Sequence, residues 1–334
     1  MISSLFLKMQ KVYFTKDVRK VNEFFKIVSK DFKEVGVKIH FGEEGNDTYI
    51  DPKLIKDIGK YFKAKFIECN VLYKGKRTTR KSHIELAKKH GFGFLDIDIL
   101  DGNLGEDEIK VKVGNDIVRL GKGLERYKNL LVLSHFKGHM LTSFGGAIKN
   151  IGMGLGSRAG KLDMHSGIAP IVHEEKCIAC GICVENCDVS AIKINGKAKI
   201  NKEKCVGCAK CIAVCPENAI GINWRGRSRN KVMEKIAKYA KGVLEGRNVW
   251  CINFLNNITY NCDCFNGKQE PFMEDIGILM SKDCVALDKA CLDLVKKQKG
   301  FDPFKATHEI DGEYILDFCE KLGIGKKKYR LVEI

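Results

Sequence analysis

Eight cysteines stand in two short arrays of the same spacing, Cys177, Cys180, Cys183 and Cys187, then Cys205, Cys208, Cys211 and Cys215, each reading C-x2-C-x2-C-x3-C. At that spacing a tight loop can aim three thiolates at one iron-sulfur cube while the fourth reaches a neighbouring cube. Soft, deprotonated sulfur stabilises iron in both redox states, and nearby backbone N–H groups and apolar cover set the potential. Gly181 and Gly207, with Ala179 and Ala209, permit close backbone approach, and Ile178, Ile182, Ile192, Val206, Ile212 and Ile220 supply a dry shell. The arrays are an internal repeat, each followed by an Ala-Ile pair, Ala191-Ile192 and Ala219-Ile220. Zinc sites more often show two C-x2-C pairs separated by a longer spacer.

A second tract, Leu133 to Ser166, combines histidines, cations and glycines at the end of a strand-like run. Its chemical candidates are His135, His139, Lys149, Arg158, Lys161 and His165, read as catalytic or substrate-binding groups. The glycines from Gly145 to Gly160 would let backbone amides approach an anion, with Lys149, Arg158 and Lys161 adding charge. The tract is not a Walker loop, since Gly160-Lys161 is followed by Leu162, and its G-x-G-x-x-A (154–159) lacks a preceding strand. His135 and His139 have the i, i+4 spacing of a metal pair, but Gly138 argues for a loop there. Of the seven cysteines outside the arrays, Cys291 and Cys319 fall on apolar helix faces as small hydrophobes. Cys262 and Cys264 flank Asp263 in a polar loop, where a thiolate pair can bind a further metal or act as a redox dithiol.

The elements that must position these groups follow from periodicity. Helices are expected from Lys16 to Phe32, Pro52 to Phe62, Ser82 to His90, 228 to 245, Val285 to Lys297 and Tyr314 to Leu322. Strands are expected at Gly36–Phe41, Ala64–Cys69, Phe94–Leu100, Leu130–His135, Asn248–Leu255 and Ile276–Met280. The alternation reads as an α/β host domain with a mostly parallel sheet and covering helices, residues 10–170 and 228–334, interrupted by an α+β cysteine-rich module at 171–223. In such sheets, strand ends are where ligands bind.

Length and charge bound the rest. The 334 residues, 44% of them hydrophobic, suffice for one large or two medium globular units. Fifteen cysteines in a chain this long, eight of them in regular arrays, fit metal ligation in a reducing cytoplasm better than a disulfide framework. Met1 to Leu7 is briefly apolar but lacks a basic n-region, so it reads as a tail or an upstream start, with Met9 the other candidate start. No stretch approaches the roughly 18 apolar residues of a membrane span. The formal charge of +16 falls to about +12 once two clusters with their thiolates are counted. Lysines are interspersed with Glu and Asp, which favours a docking face for an acidic redox partner over nucleic acid.

The arrays resemble those of two-cluster bacterial ferredoxins. That resemblance implies two 4Fe-4S clusters, one held by Cys177, Cys180, Cys183 and Cys215, the other by Cys205, Cys208, Cys211 and Cys187. The family's proline after the last cysteine is present as Pro216 and replaced by Asp188 in the first array. The host tracts, including Lys38 to Asn46, Tyr73 to Arg77, His135 to His139, Phe144 to Gly154, Cys262-Asp263-Cys264 and Asp275 to Leu279, resemble the uncharacterised Fe-S center proteins of anaerobes. In that family a ferredoxin module interrupts a host domain of unknown function; Cys284 stands where the family usually has proline. The host is also distantly similar to the nickel-pincer lactate racemase superfamily, whose site lies between two α/β lobes. The implied function is a ferredoxin-linked oxidoreductase that feeds electrons to a small-molecule substrate in a cleft formed by residues 38–46, 73–77, 135–165 and 262–264. A ferredoxin or a reductase would be its redox partner. The other reading is a non-catalytic electron carrier or a docking and assembly protein.

Overall fold

The computed structural model describes residues 9–167, 169–224 and 226–334; the two candidate starts are thus divided, Met9 inside the described residues and Met1 to Leu7 outside them. Eight strands form the central sheet: β1 (Gln10–Thr15), β2 (Glu34–Lys38), β3 (Lys63–Glu68), β4 (Ile97–Ile99), β5 (Asn129–His135), β6 (Asn248–Leu255), β7 (Gly277–Ser281) and β8 (Tyr329–Glu333). Their spatial order is β8-β1-β7-β6-β5-β2-β3-β4, with β7 antiparallel to both neighbours and every other pair parallel. The fold is mixed α/β. β5 reads Asn-Leu-Leu-Val-Leu-Ser-His and is buried from Leu130 onward, as a central parallel strand covered on both faces must be. It pairs with β6 from Asn129↔Asn248 to His135↔Phe254, so the segments on either side of the cysteine-rich stretch share one sheet.

Helices α1 (Val21–Val28), α2 (Arg80–Lys89), α3 (Ala147–Leu155), α4 (Arg158–His165), α5 (Arg229–Leu244), α6 (Cys284–Lys299) and α7 (Glu313–Lys321) cover the two faces. α1 buries Val21, Phe24, Phe25 and Val28 with Phe62 and Phe66 on one side of the sheet. On the other, α3, α5, α6 and α7 pack over Leu130, Val132 and Cys251. The helix expected over 16–32 is shorter, opening as a 3-10 turn and ending at Val28. The one expected over 52–62 is a single turn, Pro52–Ile55, continued as 3-10 through Gly59, a poor helix former.

The larger correction concerns the glycine-rich tract, which is two helices rather than an anion-cradling loop. α3 starts where the Asp288 carboxylate accepts from the N–H groups of Ala147 (2.8 Å) and Ile148 (2.9 Å). α4 is capped by Ser157, whose hydroxyl accepts from Gly160 N–H at 3.1 Å. The glycines serve close packing: a Cβ on Gly152 would stand 2.3 Å from the Ile236 carbonyl oxygen, and one on Gly160 2.2 Å from that of Arg119. An antiparallel hairpin, Glu108–Val113 with Asp116–Gly121, escaped the periodicity reading. Among the described residues no helix is long and apolar enough to cross a membrane.

Candidate functional site

The cysteine arrays form a small apolar cluster of their own, in which Cys177, Cys183, Cys211 and Cys215 pack with Ile192, Ile212 and Ile220. The sequence repeat is also a backbone repeat. Left-handed residues recur at matching positions, Ala179 and Gly207, Gly181 and Ala209, Ser190 and Asn218, which turn the chain tightly between successive cysteines. N–H groups donate to sulfur from Ala191 to Cys187 (3.2 Å), Ala198 to Cys177 (3.4 Å) and Ala219 to Cys215 (3.2 Å).

A small cavity is lined by Cys177, Cys180, Cys183 and Cys215, three thiols of one array and the fourth of the other. Burial raises the Cys183 thiol, followed by the charges of Cys180, Cys215 and Cys177. Burial likewise raises Cys211, followed by the charges of Cys208, Cys205, Cys183 and Cys187. The set of four soft donors lining the small cavity crosses between the arrays, and with its N–H···S bonds and dry surround it suits a thiolate-ligated metal centre.

Beside the arrays, at the carboxyl ends of β2, β3 and β5, lies a cavity of about 740 Å³. The four segments 38–46, 73–77, 135–165 and 262–264 meet around it. Buried ion pairs frame it: Lys38 with Glu68 (2.8 Å), Arg77 with Glu43 (2.8 Å), and Asp263 with both His135 (2.8 Å) and Lys137 (3.0 Å). Tyr73 donates to Glu43 at 2.9 Å, and burial pushes its phenol up to about 12. Lys149 and Lys161 have no carboxylate partner among the described residues; Lys161 donates to the Gly156 carbonyl at 2.7 Å. Burial, with Lys137 nearby, brings Lys149 down to about 7. Burial also keeps His40 and His139 well below the usual imidazole range and His165 at about 3, so these rings are neutral at neutral pH. The cavity thus combines neutral imidazoles with cations in excess of carboxylates, which favours an anionic occupant.

Of the residues singled out in sequence, His139, Lys149, Lys161 and His165 line this cavity. His135 lines it too, but its Nδ1 faces Asp263 and its Nε2 the Asn256 carbonyl at 3.0 Å, so it holds the loop bearing Asp263 in place. Arg158 does not line it. Its guanidinium is fully buried and donates to the carbonyls of Leu104 (2.6 Å), Thr78 and Leu72, tying loops together. Cys262 and Cys264 are joined as a disulfide, and His139 comes within 4.8 Å of both sulfurs. Lys137, Asp263 and the Glu43–Arg77 pair were not singled out in sequence. A charged residue between two cysteines and a lysine inside His-Phe-Lys-Gly-His were the signals available.

The arrays and the cavity share a wall. Leu72 packs in the cysteine cluster and lines the cavity. The neighbouring Lys74, also a lining residue, donates to the carbonyls of Cys215 (2.9 Å) and Pro216 (2.7 Å).

No curated protein matches the chain. Among solved structures it is similar to the lactate racemase apoprotein of Thermoanaerobacterium thermosaccharolyticum, at 10% identity and TM-score 0.45 over 86% of this chain and 57% of that one. It is also similar to a structural-genomics protein of Thermotoga maritima, at 12% identity and TM-score 0.42 over 85% of this chain and 59% of that one. The chain therefore spans less than two thirds of either protein. A family model described as domain of unknown function (DUF362) matches residues 35–293, and the chain belongs to that family.

Proposed function

We propose that the chain is an iron-sulfur oxidoreductase that reduces an anionic small molecule in the cavity. In this reading Cys177, Cys180, Cys183 and Cys215 hold one 4Fe-4S cluster and Cys205, Cys208, Cys211 and Cys187 the other, and the clusters supply electrons one at a time. The observation that carries it is the shared wall: the cysteine cluster, with one set of four thiols drawn from both arrays around a small cavity, stands one side-chain layer, Leu72, from a large cation-rich cavity. The chain's own groups then have separate tasks. Lys149 and Lys161 attract the anion, and Lys149, held near 7, can keep or release a proton close to neutral pH. Val71, Leu72, Leu141 and Met153 contribute apolar wall, which limits water around the bound molecule. Asp263 and its two partners fix the loop that closes the site.

Oxygen-free preparations should contain about eight iron and about eight sulfide per chain. With a ferredoxin-type donor, reduced protein should turn over an anionic metabolite from cell extract, and Lys149→Met should lose that turnover while keeping the cluster spectrum. Zinc in place of iron would overturn the redox reading. Intact clusters with no turnover under any metabolite would favour an electron carrier or docking protein, with the host as scaffold.

A further inference from the structure

The Cys-Asp-Cys loop is built as a site rather than left as an exposed turn. Asp263 is 1% exposed between the two cysteines; its carboxylate accepts from Thr48 (3.2 Å) and pairs with His135 and Lys137, and its carbonyl accepts from Glu43 N–H at 3.0 Å. Two segments distant in sequence, 43–48 and 135–137, thus hold one tripeptide against the cavity. The sulfurs differ in access: Cys262 is buried, whereas Cys264 is half-buried and lines the cavity.

His139 beside them suggests a metal at first sight, since a nitrogen and two sulfurs lie within 4.8 Å of one another. Its hydrogen bonds argue otherwise. The Nδ1 atom accepts from the Leu141 backbone N–H at 3.2 Å and contacts the Thr142 hydroxyl at 3.0 Å, while that hydroxyl donates to the Phe144 carbonyl. A neutral imidazole whose Nδ1 lone pair takes a backbone proton carries its own proton on Nε2, leaving no lone pair for a cation. The same ring can act as a hydrogen-bond donor, which suits a thiolate better than a metal.

We infer that Cys262 and Cys264 form a thiol/disulfide couple at the cavity that reduces an anionic low-molecular-weight disulfide, Cys264 attacking and Cys262 resolving. The Cys264 thiolate bonds to one sulfur of the substrate and expels the other half as a thiolate. The Cys262 thiolate then bonds to Cys264 Sγ and expels the second half, so that one substrate disulfide becomes two thiols and the dithiol becomes a disulfide. Resetting the couple takes two electrons and two protons from a low-potential iron-sulfur donor; only this resetting rests on the function proposed above. Lys149 and Lys161 supply the preference for anionic substrates.

The test uses the full chain, prepared without oxygen, with reduced Cys262→Ser and Cys264→Ser variants challenged by glutathione disulfide, which is anionic, or cystamine disulfide, which is cationic. Peptide mass mapping reads the adducts. Cys262→Ser should trap glutathione on Cys264, Cys264→Ser should trap none at this loop, and the anionic probe should react at least about tenfold faster than the cationic one. Lys149→Met should shrink that ratio. An adduct on Cys262 alone, no adduct at either position, or no preference between the probes would overturn the inference. So would zinc retained in proportion to His139, Cys262 and Cys264. Iron and sulfide measured on the same samples keep the two ideas apart: a normal adduct pattern without iron sinks the cluster reading and leaves the couple standing.

Discussion

The buried charges around the cavity make opposite demands on the fold, and each has its own pH signature. Lys149 is held near 7, below its ordinary value, so between about pH 7 and pH 10.5 the unfolded chain binds the proton that the folded chain lacks. Its charged form therefore opposes folding below pH 7, and that opposition fades as pH rises. Lys149→Met should melt at a higher temperature than the native chain at about pH 6, with the difference vanishing near pH 10. Anion binding should show the reverse, a loss in the variant that is greatest at the same acidic pH, checked by protection from unfolding with a small dicarboxylate. Asp263 lies on the other side of the balance: despite burial, His135 and Lys137 hold it well below the carboxylate range. Its contribution is present above about pH 4 and is lost as pH falls through the depressed value. Asp263→Asn leaves the buried Lys137 ammonium uncompensated, so urea unfolding at neutral pH should show a loss of about 3–5 kcal/mol, narrowing in acid.

Among the elements, the glycine-rich tract separates what pattern can tell from what packing decides. Gly152 within α3 invites an alanine by helix propensity alone, worth about 1 kcal/mol. The Ile236 carbonyl, 2.3 Å from the position of the new Cβ, reverses the sign, and Gly152→Ala should lower stability by about 1–3 kcal/mol in thermal unfolding. A rise in melting temperature would show that α3 and α5 have room to separate. The central strands and amphipathic helices were legible because their apolar residues recur at one period, as in Leu130 to Leu133 or along α1. The glycine tract was not, because the reason for each glycine lies on another element: Ile236 and Arg119 are remote in sequence. The hairpin at 108–121 was missed although its two-residue turn, Gly114-Asn115, is a recognisable signal. Within the site, the cavity-forming segments could be named from their unusual composition. The Asp263–His135–Lys137 arrangement could not, since periodicity carries no information on which buried charges meet.

At the scale of the whole molecule, the question is whether the excess of positive charge is a binding face or merely a solvated surface. Much of it is internally matched, with Lys235 and Lys238 on Asp116, Lys327 on Asp317, and Lys289 on Asp293 and Glu313. Beside the arrays, Lys210 pairs with Asp188, but Lys74 and Lys197 donate to the carbonyls of Cys215, Pro216 and Cys177 and have no carboxylate partner among the described residues. Such cations would favour both an electron-rich centre and an acidic protein that delivers electrons to it, chiefly through the rate of encounter. Stopped-flow reduction by an acidic ferredoxin should slow by about tenfold or more as salt rises from about 0.02 to 0.2 M, because the Debye length shrinks below the spacing of the facing charges. Lys74→Ala should weaken that dependence and also loosen the wall between arrays and cavity, whereas Lys327→Ala, at a lysine already paired with Asp317, should leave it unchanged. A rate insensitive to salt, or equal losses in the two variants, would mean that the charge is a general surface property and would count against the arrays as the entry point of the proposed redox function.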